Sequence, residues 1–126
     1  MIGIVDTTVI VHLLRKYQPA LVWYDIQAQA LGLTPVTWME VMYGAGSKAK
    51  QAFCKTLLSE FTLVHVGASD QEWAMMQMEQ FRLSHGITTN DCLIASVAYR
   101  LQIPLYTHNL KDMSPMLGNL AVKPYA

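Results

Sequence analysis

Apolar and polar positions along the chain alternate between two periods, and this predicts short strands separated by helices. Continuous apolar or β-branched runs, typical of buried strands, occupy residues 2–5, 31–34, 62–66, 104–107 and 120–123. Helical spacing of apolar residues covers 7–17, 18–30, 37–43, 47–60, 69–85 and 88–102, with one weak helical turn after residue 109. In the first helix, for example, Ile10, Leu13 and Tyr17 share one face. Gly86 and Pro104 mark the ends of later elements.

Strands that alternate with helices indicate an α/β fold. We expect a short central parallel sheet of four to five strands with helices on both faces. The 126 residues suit a single domain over residues 1–126. In such folds ligands bind at the carboxyl ends of the strands. Asp6 ends the first predicted strand and Asn109 follows the fourth, so both are expected at the edge of the sheet where sites form.

The composition indicates that part of the surface contacts a partner, and it indicates the compartment in which the protein works. Charged residues make up only 14% of the chain against a usual value of about 25%, and eight residues are Met. Part of the apolar surface is therefore expected to contact another chain. No apolar stretch reaches the roughly 18 residues of a membrane span, and the start lacks the basic segment of a signal peptide. Cys54 and Cys92 have neither disulfide nor zinc spacing, so we expect reduced thiols in a cytoplasmic protein.

Three of the nine acidic residues lie in apolar sequence, namely Asp6, Glu40 and Asp91. A buried acid costs several kcal/mol unless it is paired or binds a metal, so these three are candidates for a site. Each also has a helix-capping explanation. Asp6 precedes a helix, while Glu40 and Asp91 each lie three residues after a threonine, which is capping-box spacing. The acids with polar neighbours are expected to be solvated: Asp25, Glu60, Asp70, Glu72 and Glu79.

Asp91 and Asn109 illustrate how the two explanations compete. Asp91 shares a helix face with Ala95 and Ala98, and such small residues would let the helix pack closely and leave the acid facing a cleft. Asn109 can cap the turn that follows it, with Asp112 three residues later completing a weak capping box. It can equally be a site residue at the end of a strand. The residues by themselves leave these alternatives open.

Four segments in order resemble the motifs of one family. They are VDTTVIVHLLR, TWMEVMYGA, NDCLIASVA and LYTHNLKDM, and together they resemble the four motifs of PIN-domain ribonucleases of the VapC type from toxin–antitoxin systems. The resemblance extends over residues 5–113. Each motif is short, and it is the ordered set in a chain of this length that carries the resemblance. It implies a single PIN domain over residues 1–126.

The resemblance also implies a metal site. It makes Asp6, Glu40 and Asp91 the catalytic, metal-binding carboxylates, with Mg²⁺ as the cofactor and Mn²⁺ as a possible substitute. Four further residues are implied to help hold the metal or its waters: Thr8, Thr107, Asn109 and Asp112. Asn109 stands where many members carry a fourth acid, so the resemblance leaves the number of metals open. Mg²⁺ prefers oxygen ligands and keeps several waters, which suits a few carboxylates.

The function implied by the resemblance is hydrolysis of RNA phosphodiester bonds by a metal-dependent endoribonuclease. Such a chain would be the toxin of a type II toxin–antitoxin pair, inhibiting translation, with a cognate antitoxin and a second copy of itself as partners. A non-catalytic PIN-like module that binds RNA or protein is the alternative. HAD-type phosphatases, which also begin with a strand ending in Asp, need a second acid where this chain has Thr8.

Candidate substrate contacts are less specific than the acids. The basic side chains that could meet RNA phosphates are His12, Arg15, Lys16, Lys48, Lys50 and Lys111, each of which is otherwise an ordinary solvated charge. His108 is interpreted as a loop residue. In the helix predicted at 69–85, Trp73, Ala74, Met78 and Phe81 form one face. Met75 and Met76 lie off that face, which predicts either a partner surface or a helix covered on several sides.

Overall fold

The computed structural model describes all residues of the chain, 1–126, as five short strands and seven α-helices. The strands are β1 Ile4–Val5, β2 Gly32–Leu33, β3 Thr62–Leu63, β4 Leu105–Tyr106 and β5 Ala121–Val122. The helices are α1 Thr7–Leu14, α2 Gln18–Asp25, α3 Pro35–Gly44, α4 Lys48–Leu58, α5 Ala68–His85, α6 Thr89–Leu101 and α7 Leu110–Leu117. A 3₁₀ turn, Gly118–Leu120, precedes β5.

The strands form one parallel sheet in the order β3-β2-β1-β4-β5. Ile4 pairs with Gly32 on one side and with Leu105 on the other. The chain builds outward from β1 through β2 to β3, then crosses back to place β4 on the opposite side of β1. This reversal makes the gap between β1 and β4 the topological switch point, where α/β sheets bind ligands.

Successive residues of each strand face opposite sides of the sheet, and two cores result. Ile4 and Leu105 face the core covered by α5, α6 and α7. Val5 faces the core to which α1, α2 and α4 contribute, and Tyr106 packs against the same core. Both faces of the sheet are therefore covered, which confirms the predicted α/β architecture.

Several element boundaries differ from the sequence prediction, including the end of α1, which lies at Leu14 rather than near residue 17. Helix α2 ends at Asp25 rather than near residue 30, and the next residue, Ile26, is 73% exposed. With no core for Ile26 to enter, continued helix gains no burial beyond this point. Helix α5 begins at Ala68, one residue before the predicted cap at Ser69, and its predicted end at Gly86 is confirmed by the left-handed φ of 70° there.

Asp70 is buried, so the prediction that it is solvated is wrong. Its carboxylate accepts a hydrogen bond from the backbone N–H of Gly67 (2.9 Å) and forms an ion pair with Arg100 Nε (2.9 Å). The acid therefore caps α5 and ties it to α6. Its sequence neighbours are polar because they face solvent on the other sides of the helix.

The outer side of α5 is exposed, and both thiols are buried. Met75 and Met76 are 70% and 64% exposed, so the prediction that α5 is covered on several sides is wrong and the partner-surface alternative remains. Cys54 and Cys92 are buried and unpaired, as predicted. Burial raises the pKa of Cys92 to about 11, which keeps it a thiol. None of the helices combines the length and the apolar character that crossing a bilayer requires.

Candidate active site

Asp6 lies at the carboxyl end of β1, at the switch point, and is only 4% exposed. One carboxylate oxygen, Oδ1, accepts a hydrogen bond from the N–H of Thr7 (2.7 Å) and so caps α1. The other oxygen, Oδ2, accepts hydrogen bonds from Thr107 Oγ1 (2.7 Å) and Thr8 Oγ1 (3.3 Å). The capping and site explanations are therefore compatible, because the two oxygens have different partners.

Thr107 joins the end of β4 to the end of β1. Its side chain is fully buried, and its oxygen accepts a hydrogen bond from the N–H of Asn109 (2.9 Å) while its hydroxyl donates to Asp6. Thr8 adds a second link, since its oxygen accepts a hydrogen bond from the N–H of His108 (3.1 Å). These threonines hold the acid in one orientation and fix the loop after β4 against α1.

Glu40 reaches the same edge from α3, and its predicted capping box with Thr37 is not formed. The helix begins earlier, at Pro35, and its N-cap is Thr34, whose hydroxyl oxygen accepts from the N–H of Thr37 (3.3 Å). Glu40 Oε1 instead accepts a hydrogen bond from Thr7 Oγ1 (2.7 Å). This contact brings the Glu40 carboxylate beside the residue that follows Asp6.

Asp91 performs both roles that the sequence left open. The capping box is formed, because Asp91 N–H donates to Thr88 Oγ1 (3.1 Å) and Thr88 N–H donates to Asp91 Oδ2 (3.2 Å). Below it, Ala95 and Ala98 are fully buried, which fits the predicted close packing of α6. The remainder of the helix is buried on several sides rather than on one opposite face.

One cleft of about 410 Å³ brings these residues together. Its lining consists of Asp6, Thr7, Thr8, Val11, His12, Arg15, Glu40, Asp91, His108 and Asn109. Two predicted site residues stand behind this lining. Thr107 lies under Asp6, and Asp112 accepts a hydrogen bond from Asn109 Nδ2 (3.1 Å). Asn109 thus orients Asp112 with its side chain and makes no side-chain cap of α7.

The acids destabilise one another's charged forms. Burial raises the pKa of Asp6, the charge of Asp91 raises it further, and the hydrogen bonds from Thr107 and Thr7 oppose both effects. Burial also raises the pKa of Asp91, and the charges of Asp112 and Glu40 add to this. A cation between them would favour the ionised carboxylates and remove the repulsion.

The donor set fits a hard, partly hydrated cation. Carboxylate, hydroxyl and amide oxygens are the ligands that Mg²⁺ and Mn²⁺ take. No three Asp, Glu, His or Cys side chains are grouped tightly enough to enclose an ion by themselves. Mg²⁺ does not require this, because it usually retains several waters and uses one or two carboxylates. The residues that would hold it are Asp6 and Asp91, with Glu40 beside them.

His108 is more than the loop residue that the sequence indicated. Its ring lies 4.7 Å from that of His12 and 4.5 Å from that of Tyr125, and its Nε2 is buried without a hydrogen-bond partner. Burial lowers its pKa, and the neighbouring His12 and Lys123 lower it further, which favours the neutral form of the ring. Tyr125 has no signal in the sequence that would place it here, because only the pairing of β5 with β4 brings it back to the cleft.

Comparison with solved structures places this fold among toxin–antitoxin proteins. A toxin–antitoxin complex from Klebsiella pneumoniae matches with a TM-score of 0.80 and 23% identity, covering 98% of this chain and 98% of that chain. VapBC2 from Rickettsia felis, bound to a promoter DNA fragment, matches with 0.77 and 22%, covering 91% and 92%. VapC20 from Mycobacterium tuberculosis, a toxin that cleaves the sarcin–ricin loop, matches with 0.71 and 17%, covering 90% and 93%.

Sequence comparison gives the family. No curated protein matches the chain. The model of the PIN domain family matches residues 3–111, which include strands β1 to β4, the three cleft acids and the threonines that hold Asp6. Because this match extends over most of the chain, it gives the assignment: this chain is a member of the PIN domain family.

Proposed function

We propose that the chain is a metal-dependent endoribonuclease that hydrolyses RNA phosphodiester bonds. The observation that carries this proposal is the shared cleft of Asp6, Glu40 and Asp91 at the switch point of the sheet. The charge of Asp91 raises the pKa of Asp6, and the charge of Glu40 raises the pKa of Asp91, so this grouping of acids is unfavourable for stability alone. It is a useful one for binding a cation beside a phosphate.

We assign a separate role to the metal ion, to the acids and to the threonines. Mg²⁺, when bound, polarises the phosphate and lowers the pKa of a bound water. Asp6 and Asp91 would hold the ion, and Thr107 and Thr8 keep the Asp6 carboxylate in place through their hydroxyls. Thr7 engages only Oε1 of Glu40, so Oε2 has no donor within the protein and is free to accept a proton from the attacking water.

The biological role that we propose is that of a toxin in a type II toxin–antitoxin pair, inhibiting translation in the cytoplasm. The support is the fold shared with solved toxin–antitoxin complexes and with a toxin that cleaves the sarcin–ricin loop. Exposed apolar side chains on α3 and α5, including Met39, Met75 and Met76, support contact with an antitoxin and with a second copy of the chain. The unpaired cysteines fit a reducing compartment.

The decisive experiment measures cleavage of a mixed-sequence RNA with Mg²⁺, with Mn²⁺ and with EDTA. We expect cleavage with either metal and none with EDTA. Asp6→Asn, Glu40→Gln and Asp91→Asn should each lower the rate by about 100-fold or more, because each removes a charge that acts on the reacting phosphate or water. Asp25→Asn, at the exposed end of α2, is the matched control and should retain full activity. Cleavage that persists in EDTA would contradict the proposal.

The toxin role needs its own assay. Addition of the chain to a cell-free translation reaction should stop protein synthesis, and Asp91→Asn should not. The alternative function is a non-catalytic module that binds RNA or protein. It is favoured by the absence of three metal-binding side chains grouped around one point. A wild-type chain that binds RNA without cleaving it in any divalent metal would establish that alternative.

A further inference from the structure

The cleft is lined by two basic side chains as well as by acids. Of the basic residues singled out in the sequence, only His12 and Arg15 line it. They are three residues apart at the end of α1 and therefore point to the same side of the helix. The neighbouring Lys16 has a left-handed φ of 57°, where the chain turns away from the helix. Lys48 and Lys50 lie on α4 and Lys111 on α7, outside the cleft.

The orientation of His12 is fixed by the end of the chain. Its Nδ1 lies 2.7 Å from the hydroxyl of Tyr125, and this is the only hydrogen bond that either side chain makes. The rings of Tyr125 and His108 pack against the imidazole at 5.7 Å and 4.7 Å between centroids. Tyr125 is in turn brought here by β5, which pairs with β4 at the edge of the sheet. The imidazole is therefore held at Nδ1 and packed against neighbouring aromatic rings.

Hydrogen-bond chemistry then decides what His12 presents to the cleft. Burial raises the pKa of Tyr125 to about 12, so its hydroxyl keeps its proton. His12 Nδ1 is the only acceptor of the protein within hydrogen-bond distance of that hydroxyl, so we assign the Tyr125 hydroxyl as the donor; a neutral ring that accepts at Nδ1 carries its own proton on Nε2. Nε2 has no partner within the protein and, unlike Nε2 of His108, is not buried. It is a free donor at the rim of the cleft.

We infer that His12 Nε2–H and the Arg15 guanidinium form a subsite for an RNA phosphate next to the scissile one, and that Tyr125 is the positioning residue that aims His12. Arg15 forms no ion pair within the protein and so is available for a phosphate. The subsite places a donor and a positive charge beside three carboxylates that would otherwise repel the RNA backbone. This inference rests on the proposed ribonuclease function for the identity of its ligand.

The test measures binding without turnover. A labelled, short, mixed-sequence RNA is titrated by fluorescence anisotropy against the full chain carrying Asp91→Asn, in EDTA, so that nothing is cleaved and one repulsive charge is absent. Added to this background, Arg15→Gln and His12→Ala should each weaken binding by about tenfold, since each loses a charge-assisted contact to phosphate. Arg15→Gln should also reduce the salt slope of log K by about 0.7, as expected for one lost contact to a single strand. His12→Gln, which keeps an N–H donor, should recover part of the affinity.

Matched variants separate the subsite from general effects. Lys16→Gln removes the same charge one residue away and should leave both the affinity and the salt slope unchanged. Tyr125→Phe should weaken binding by about fivefold. Tyr17→Phe removes the hydroxyl that donates to the Ala126 backbone oxygen (3.0 Å), a second tie to the same terminal segment, and keeps the ring that packs against His12 at 5.1 Å between centroids. It should bind like the parent.

A spectroscopic measurement checks the positioning role directly. The ring nitrogens of His12, assigned by comparison with His12→Gln, should show the Nε2–H form in long-range ¹H–¹⁵N spectra. The Nδ1 resonance should shift in Tyr125→Phe and not in Tyr17→Phe. Equal affinities for Arg15→Gln and Lys16→Gln would overturn the subsite, as would an absence of RNA binding by the parent. An unchanged His12 spectrum in Tyr125→Phe would overturn the positioning role. Binding with the expected pattern by a wild-type chain that cleaves nothing would refute the nuclease proposal alone.

Discussion

At the scale of single residues, Asp6 shows how one carboxylate can both cap a helix and line the proposed active site. Its Oδ1 caps α1, and its Oδ2 is held by two threonine hydroxyls from opposite ends of the chain. These hydrogen bonds favour the ionised form, while burial and the Asp91 charge oppose it, and the net effect is a raised pKa. Without a metal, therefore, Asp6 lowers the stability of the folded state when it is ionised.

This predicts that Asp6→Asn stabilises the metal-free protein more at high pH than at low pH. The pKa of Asp6 in the folded state lies above its ordinary value of 3.8, so the folded protein keeps a proton that the unfolded chain has lost. Stability therefore falls as pH rises through that window, by at most about 1.4 kcal/mol per pH unit. Thermal melts in EDTA are recorded from pH 4 to pH 7 in steps of about half a pH unit. The difference in Tm between variant and parent should grow as the pH rises. A difference that stays constant over this pH range would contradict the raised pKa of Asp6.

A second residue-scale prediction concerns Thr107. Thr107→Val keeps the shape of the side chain but removes the hydroxyl that donates to Asp6 and accepts from Asn109. Two buried groups then lose partners, and we expect the free energy of unfolding to fall by about 1–3 kcal/mol, measured by urea titration. Mg²⁺ binding, measured by calorimetry, should weaken as well because Asp6 is released. Thr56→Val is the control, since its hydroxyl only donates to a carbonyl on the exposed face of α4.

At the scale of elements, the site depends on where helices begin. Asp6 caps α1, the Thr88–Asp91 box starts α6, and Glu40 lies in the second turn of α3. Helix N-termini favour nearby negative charge through the helix dipole, so the starts of α1 and α6 tolerate acids that a strand or a helix C-terminus would not. The crossing of the chain from β3 to β4 then brings these helix starts to one edge of the sheet.

Removal of the α6 cap should therefore affect metal binding as well as stability. Thr88→Ala removes the hydroxyl oxygen that accepts from Asp91 N–H, and we expect a loss of about 1 kcal/mol in the free energy of unfolding. Ser47→Ala removes the equivalent cap of α4, which lies outside the cleft, and should cost a similar amount. Only Thr88→Ala should also weaken Mg²⁺ binding in calorimetry. Equal metal affinity in the two variants would mean that Asp91 is held independently of its cap.

At the scale of the whole molecule, we expect the cleft to couple folding to the binding of a divalent cation. The unfolded chain separates acids that are 34 and 51 residues apart along the sequence, so a cation that needs them together binds the folded state alone. Binding to the native state raises stability by about 2.7 kcal/mol when the ligand is at 100 times its Kd. Mg²⁺ should therefore raise the Tm of the wild-type chain, and EDTA should reverse the rise.

Asp91→Asn tests whether this stabilisation belongs to the cleft. Differential scanning calorimetry should show a concentration-dependent rise of Tm with Mg²⁺ for the parent and for Asp25→Asn, and a much smaller one for Asp91→Asn. The physical reason is that Asp91→Asn lacks one of the charged groups proposed to bind the ion. The remaining carboxylates also repel one another less, so Mg²⁺ relieves less repulsion. An equal rise in all three chains would show a general effect of the salt rather than a site.

The sequence by itself determined the spacing of apolar residues in each element, because buried and exposed positions repeat with the geometry of the backbone. This spacing determined the alternation of strands and helices. It also determined that Asp6, Glu40 and Asp91 stand in apolar surroundings, and the ordered motifs gave the family that the comparison later showed. Local chemistry carries this information: an acid among apolar residues is costly wherever the chain places it.

Only the tertiary structure decided which contacts those residues make. Glu40 and Asp91 have the same spacing from a threonine, yet only Asp91 forms the capping box. Glu40 accepts a hydrogen bond from Thr7 instead, because α3 begins at an earlier residue than the spacing predicts. Asp70 is buried by α6, and Tyr125 meets His12 across 113 residues of sequence. Such contacts depend on strand order and on helix packing, and the sequence neighbours of a single residue specify neither.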